Sequence, residues 1–86
     1  MENFTIATAE SCTGGLVASR FTDFSGASNY FKGGVVAYTN EIKKSVLCVK
    51  AETIENFGAV SSQTALEMAT NVREIFSATI GFSSTG

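Results

Sequence analysis

The sequence predicts an α/β fold in which helices cover a largely parallel sheet. Short runs of apolar and β-branched residues alternate along the chain with segments of helical periodicity, and this alternation is typical of parallel strands joined by crossover helices. The chain has 86 residues, of which 44% are hydrophobic and 16% charged. These proportions exclude disorder and indicate one small domain over residues 1–86.

The first half of the chain contains two predicted strands and one helix. Residues 4–8 form a short apolar run with β-branched side chains, and "GGVVAY" at residues 33–38 is apolar enough to be a strand buried on both faces. Between them, residues 14–22 have apolar side chains at helical spacing, and residues 23–29 are rich in turn formers. The expected order is therefore strand, helix, loop, strand.

The second half predicts three helices and a last strand. Asn40 is expected to cap a helix whose apolar face is Ile42, Val46 and Leu47, and a second helix over residues 51–57 stops at Gly58. Ser61 caps the longest helix, Met68 and the phenylalanines belong to the core, and residues 78–83 form a strand. Because three strands make a thin sheet, we expect the fold to be incomplete.

Composition excludes several functional classes. The net charge is −2 without a basic patch, which argues against nucleic acid as a partner. Apolar runs are too short for a membrane span, and residues 1–3 lack signal-peptide features, so a cytoplasmic location is expected. The chain has no histidine, and no cluster has the spacing of a metal site. Acid–base chemistry must therefore use lysine, tyrosine or a carboxylate.

Hydroxyl-bearing segments follow all three predicted strands: "TAESCTGG", "YTNEIKK" and "SSTG". Ligands of α/β sheets bind at the carboxyl ends of the strands. Ser11 is either a helix cap or a nucleophile, and Glu10 is either a cap or a charge that orients a neighbour. The amides of Thr13, Gly14 and Gly15 are candidates for binding a phosphate or an oxyanion.

A lysine and a tyrosine near the second strand end are the other candidates. Most lysines lie on the surface, but Lys43 is expected in the first turn of its helix, where a cation opposes the helix dipole. In the absence of histidine, an amine held neutral can act as a general base for a serine. Tyr38 is either a core side chain or a site phenol. Ser28 and Thr85 are ordinary loop residues on spacing alone.

The segments "TAESCTGG", "GGVVAYTNEIK" and "GAVS" together resemble the CinA C-terminal domain family, whose members are nicotinamide-nucleotide amidohydrolases (NMN deamidases). The resemblance implies a three-layer α/β/α sandwich around a mixed, mostly parallel sheet. It implies hydrolysis of the carboxamide of nicotinamide mononucleotide to nicotinic acid mononucleotide and ammonia, with no metal or cofactor. A small-molecule nucleotide is thus the implied ligand, and a homo-oligomer the implied assembly.

The resemblance also implies roles for individual residues. Ser11 matches the nucleophile and Lys43 the general base. Tyr38, Ser28 and Thr85 match residues that support the reaction or bind the nucleotide, and the amides of Thr13, Gly14 and Gly15 stay candidates for the oxyanion or phosphate.

The chain departs from the family in length and at single positions. Family domains are nearly twice as long, so the chain resembles the amino-terminal portion of such a domain, and Cys48 stands where glycine is usual. Three alternatives follow. The chain is an amidohydrolase completed by self-association or by a complementing polypeptide, an inactive fragment that binds nucleotide, or one that only oligomerises.

Overall fold

A three-stranded parallel sheet forms the centre of the molecule. The computed structural model describes residues 4–86, so the signal-peptide prediction for residues 1–3 lies outside the described part. The sheet has the strand order β2-β1-β3, and β1 pairs in parallel with both neighbours. The elements in chain order are β1 (Ile6–Glu10), α1 (Leu16–Thr22), a 3-10 turn (Ala27–Asn29), β2 (Phe31–Val36), α2 (Asn40–Ser45), α3 (Ala51–Phe57), α4 (Ser62–Ile75) and β3 (Ile80–Ser84).

The central strand is β1, and burial follows from that position. Every residue of β1 is buried. The expectation that "GGVVAY" is buried on both faces is wrong. Strand β2 lies at the sheet edge, begins two residues earlier than expected and alternates between half-buried and exposed side chains. Small side chains let β1 occupy the middle, because Ala7 and Ala9 leave room for α4 above them.

Helices lie on both sides of the sheet. Ala7 and Ala9 pack in one cluster with Met68 and Val72 of α4. Glu10, whose side chain points to the opposite face, bonds to the first turn of α1. The connection from β1 leads to β2 on one side, and the connection from β2 leads back to β3 on the other. Right-handed crossovers in opposite directions produce this α/β/α layering and a switch point between β1 and β3.

Helix limits agree with the sequence in the second half of the chain. Helix α3 spans Ala51–Phe57 and ends at Gly58 as expected. Ser61 caps α4, since its hydroxyl accepts a hydrogen bond from the amide of Thr64. The cap of α2 is Thr39, which accepts from the amide of Ile42; the expectation for Asn40 was one residue late.

The core is less aromatic than predicted. Its largest fully buried apolar side chains are Leu47, Met68 and Val72. The expected apolar face of α2 is confirmed only for Leu47, which is buried but lies after the end of the helix, since Ile42 and Val46 are exposed. Phe24, Phe57 and Phe82 are also exposed, against expectation. A sheet of three strands cannot enclose every apolar side chain of the sequence.

One sheet face is incompletely covered next to β3. Ile80 and Phe82 are adjacent in register to Ile6 and Thr8 of β1, on the face opposite α4. They are 41% and 45% exposed. We call these two residues the open face. Within residues 4–86, no helix has the length and apolar character needed to cross a membrane.

Candidate active site

A tight turn follows β1 and presents Ser11. The amide of Ser11 donates to the carbonyl of Ser84 at 3.0 Å, so the ladder between β1 and β3 continues to this residue. The amide of Gly14 donates back to the Ser11 carbonyl at 3.0 Å. Gly14 and Gly15 adopt φ values of 59° and 99°, a left-handed region that favours glycine. The chain therefore reverses sharply between strand and helix.

Ser11 is not the cap of α1. The helix begins at Leu16, two residues later than predicted, and the cap position is Gly15, which contributes no side-chain bond. The capping acceptor is Glu10, whose carboxylate accepts hydrogen bonds from the amides of Val17 and Ala18, both at 2.8 Å. Of the two alternatives for Glu10, the cap is confirmed. The Ser11 hydroxyl is thereby free for another partner.

The carboxylate of Glu10 is fully enclosed, with 1% of the residue exposed. Burial raises the pKa of this carboxyl, but hydrogen bonds from the Thr13 hydroxyl and from the amides of Ala18, Val17 and Gly15 outweigh it and lower the pKa below its usual value. Glu10 is thus an anion held by dipoles of the segment that follows it.

Ser11 and Lys43 meet in the interior. Each residue is 3% exposed. The Nζ of Lys43 donates to the Oγ of Ser11 at 3.2 Å, although 32 positions separate the two residues in sequence. The single salt bridge among residues 4–86 joins Arg73 to Glu74, so Lys43 has no carboxylate partner there. A buried amine in contact with a serine hydroxyl has the arrangement of a base beside a nucleophile.

The predicted conflict between the Lys43 charge and the dipole of α2 is not found. Helix α2 has only six residues, and Lys43 lies in its last turn as well as near its start. The dipole argument therefore fails, because such a short helix has no clear positive end at this residue. Tertiary packing buries Lys43, with 3% of the residue exposed. The backbone of Lys43 is held on both sides, by the Thr39 carbonyl and by the amide of Val49.

The turn after α2 is anchored by α4. The Nδ2 of Asn71 donates to the carbonyls of Leu47 at 2.8 Å and Cys48 at 3.3 Å. Cys48 has a φ of 56°, a conformation that glycine adopts at lower cost. This explains physically why glycine suits the position. Cys12 and Cys48 are both free and exposed.

The third strand end reaches the same edge of the sheet. The hydroxyls of Thr13 and Ser84 are 2.7 Å apart, and Gly86 lies beside Cys12, since a Cβ built on Gly86 would be 3.3 Å from its Sγ. Thr85 does not turn toward Ser11, because its hydroxyl donates to the carbonyl of Ala59. Sequence reasoning missed Ser84. Its register opposite Glu10 would have revealed it.

Two predicted site residues remain outside this network. Tyr38 is 73% exposed, and Ser28 is exposed on the 3-10 turn. Neither side chain has a hydrogen-bond partner among residues 4–86. Tyr38 is therefore not a core residue, and its phenol is available to a ligand.

Some backbone amides of the turn donate hydrogen bonds within the protein, and others do not. The amide of Gly14 donates to Ser11 and that of Leu16 to Thr13. The amides of Gly15, Val17 and Ala18 face Glu10. In the described part of the chain, the amides of Cys12 and Thr13 are left without a protein acceptor. The free donors thus directly follow Ser11.

These observations define an α/β protein with a buried serine–lysine pair at the carboxyl edge of a parallel sheet. The profile of the CinA C-terminal domain family matches residues 1–86. The chain belongs to that family.

Relatives and solved structures agree with this assignment. A competence-damage inducible protein of Acetivibrio thermocellus is 58% identical over 84 residues, which is 98% of this chain and 20% of that protein. The structure of the competence/damage inducible protein CihA from Agrobacterium tumefaciens is similar with a TM-score of 0.86 and 46% identity, over 88% of this chain and 46% of that one. A CinA superfamily protein from Escherichia coli has a TM-score of 0.87 and 36% identity, over 88% and 44%.

The chain spans about a fifth of the length of the curated relatives it matches and somewhat less than half of the solved chains. The expected α/β fold of the CinA type is confirmed.

Proposed function

We propose that the Ser11–Lys43 pair hydrolyses the carboxamide of nicotinamide mononucleotide, giving nicotinic acid mononucleotide and ammonia. The observation that carries the proposal is the buried hydrogen bond of 3.2 Å between Lys43 Nζ and Ser11 Oγ. Membership of the CinA C-terminal domain family supports it. The substrate itself comes from the resemblance of the sequence motifs.

Acylation begins with proton transfer from Ser11 to a neutral Lys43. Lys43 is buried and has no carboxylate partner among residues 4–86. The Oγ of Ser11 attacks the amide carbon, and the free amides of Cys12 and Thr13 are the candidates to bind the oxyanion. When the C–N bond breaks, protonated Lys43 donates its proton to the leaving nitrogen, which departs as ammonia.

Deacylation uses the same pair in reverse. Neutral Lys43 takes a proton from water, and the resulting hydroxide attacks the acyl carbon. The C–O bond to Ser11 breaks, and Lys43 returns the proton to the Oγ. The acid is released, and the pair regains its starting state.

The remaining predicted residues are proposed as substrate contacts. Tyr38 and Ser28 have exposed hydroxyls without a hydrogen-bond partner in the described part of the chain, and Tyr38 would close on the reacting end of the nucleotide. The turn residues Thr13, Gly14 and Gly15, together with Thr85 after β3, are expected to shape the nucleotide site. Absence of a metal and a cytoplasmic location stay predictions.

The test is ammonia release from nicotinamide mononucleotide by the chain. We expect release from the wild type and none from Ser11→Ala or Lys43→Met. Lys44→Met is the matched control, since Lys44 is the exposed neighbour of Lys43 and should leave the rate unchanged. Full activity of Ser11→Ala would disprove the scheme.

A second candidate is that the chain is inactive and binds nucleotide or only associates, and the open face favours association. Ile80 and Phe82 present apolar area next to the free edge of β3, and such surfaces are covered in stable assemblies. A homo-oligomer or a complementing polypeptide would cover it. Nucleotide binding without ammonia release would support an inactive chain that binds nucleotide, and light scattering would reveal association. A monomer that binds no nucleotide would refute this second candidate.

A further inference from the structure

Glu10 is a buried carboxylate whose charge has no cationic partner among residues 4–86. Its donors are the hydroxyl of Thr13 at 2.6 Å and the amides of Val17 and Ala18. All of them belong to the segment that directly follows Ser11. The carboxylate therefore joins the end of β1 to the start of α1 across the turn that carries the serine.

The hydroxyl of Thr13 extends this link to a second strand. Thr13 donates its proton to the carboxylate, because an ionised carboxylate only accepts. The hydroxyl of Ser84 must then donate to Thr13 over the 2.7 Å that separates them. A directed chain from Ser84 through Thr13 to Glu10 fixes the turn against β3 on one side. The Ser11 amide, bonded to the Ser84 carbonyl, fixes it on the other.

Glu67 is a second carboxylate that caps a helix, and it serves as a comparison for Glu10. Glu67 accepts hydrogen bonds from the amide of Lys50 at 2.9 Å and the hydroxyl of Thr53 at 2.5 Å, at the start of α3. Burial raises the pKa of Glu67, but bonds from Thr53 and Lys50 lower it overall, as for Glu10. The segment that Glu67 holds contains no serine–lysine pair, so Glu67 is a structural match without the reactive neighbour.

We propose that Glu10 is a positioning residue, which holds the turn over residues 11–15 so that the Oγ of Ser11 stays in contact with Lys43. This inference rests on the proposed function in one respect, the role of Ser11 as nucleophile. The hydroxyl of Thr13 and the amides of Val17 and Ala18 converge on the two carboxylate oxygens, which the amide of Gly15 also faces. A glutamine has one oxygen, and its NH₂ group faces an amide that can only donate. The Glu10→Gln variant therefore loosens the turn without changing side-chain size.

The experiment measures how fast a small fluorophosphonate labels Ser11, with the site located by peptide mass spectrometry. This reagent needs an activated serine but no nucleotide. Displacement of a reacting group by about 1 Å costs about 10²-fold in rate, and we expect a loss of that order in Glu10→Gln. Glu67→Gln should label at the wild-type rate, even where it loses as much stability in urea. Equal rates in Glu10→Gln and the wild type would overturn the proposal.

Two further measurements cover the other outcomes. If Glu10→Gln does not fold, Thr13→Val is used instead, because it removes the hydroxyl and keeps the carboxylate. The proposal is supported if Thr13→Val is labelled more slowly and Thr13→Ser regains the wild-type rate. Unchanged labelling in Thr13→Val overturns it. If the wild type is not labelled, the nucleophile assignment fails. Positioning is then judged from hydrogen exchange at the amides of Gly14 and Leu16. Faster exchange in Glu10→Gln than in Glu67→Gln supports it, and equal exchange refutes it.

Discussion

Replacing Lys43 with methionine should reduce activity and preserve or raise stability. Methionine has the length of the lysine stem without the amine. Lys43 is 3% exposed, and among residues 4–86 its amine has one neutral hydrogen-bond partner, Ser11 Oγ. Removal of an incompletely paired buried polar group recovers about 1–3 kcal/mol. The Ser11 hydroxyl loses its donor, which costs about 1 kcal/mol. The free energy of unfolding should therefore stay constant or rise by up to about 2 kcal/mol.

The activity of the same variant should fall sharply. A general base contributes about 10²–10⁴-fold to the rate, so ammonia release by Lys43→Met should decrease by at least the lower figure. Thermal unfolding measures the predicted change in stability of Lys43→Met, since 1 kcal/mol shifts Tm by about 4–8 °C in a domain of this size. Lys44→Met controls for loss of charge in α2. A Lys43→Met protein that is less stable, or that keeps its activity, would refute the reasoning, because Lys43 would then be a structural residue.

Three further results are expected for stability. Cys48→Gly should raise the free energy of unfolding in urea by about 1 kcal/mol, because glycine adopts the left-handed conformation of this position without strain. Cys48→Ala retains the strain and should give no such gain. Gly81→Ala should lower it by about 1–3 kcal/mol, since the added Cβ would collide with the Ala69 carbonyl where α4 crosses β3; an unchanged urea midpoint would contradict that close approach. The lowered pKa values of Glu10 and Glu67 stabilise the folded state fully above the ordinary value of 4.5, and this stabilisation is lost as pH falls through the folded-state values. Glu10→Gln should therefore reduce the loss of unfolding free energy at low pH, measured by urea titrations. An unaltered pH profile would contradict this expectation.

Local signals in the sequence were sufficient for much of the fold. Capping by Ser61, the stop of α3 at Gly58 and the alternation of strands and helices each depend on neighbouring residues, and all three are confirmed. The position of a strand within the sheet is a long-range property. "GGVVAY" has the composition of a central strand, but the pairing of β1 with both neighbours assigns the centre to "IATAE". Propensity could not resolve this, because sheet order depends on crossover directions.

The candidate site could be located but not assembled from the sequence. Strand ends of a parallel sheet meet at one edge, and this rule brought Ser11, Lys43 and the final segment together correctly. The sequence left the cap of α1 open between Ser11 and Glu10, because the capping side chain lies seven positions before Val17, beyond the spacing of ordinary capping motifs. Lys43 was expected to oppose a helix dipole, but α2 is too short for that effect, and the burial of the residue depends on tertiary packing that the sequence does not show.

The proposed mechanism requires a covalent acyl intermediate on Ser11, formed with the help of Lys43. Mass spectrometry of the chain, quenched during incubation with nicotinamide mononucleotide, detects such an intermediate. We expect a mass increase of one acyl group on the peptide that contains Ser11, absent in both Ser11→Ala and Lys43→Met. Ammonia release without any adduct on Ser11, or with the adduct on the neighbouring Cys12, would contradict it.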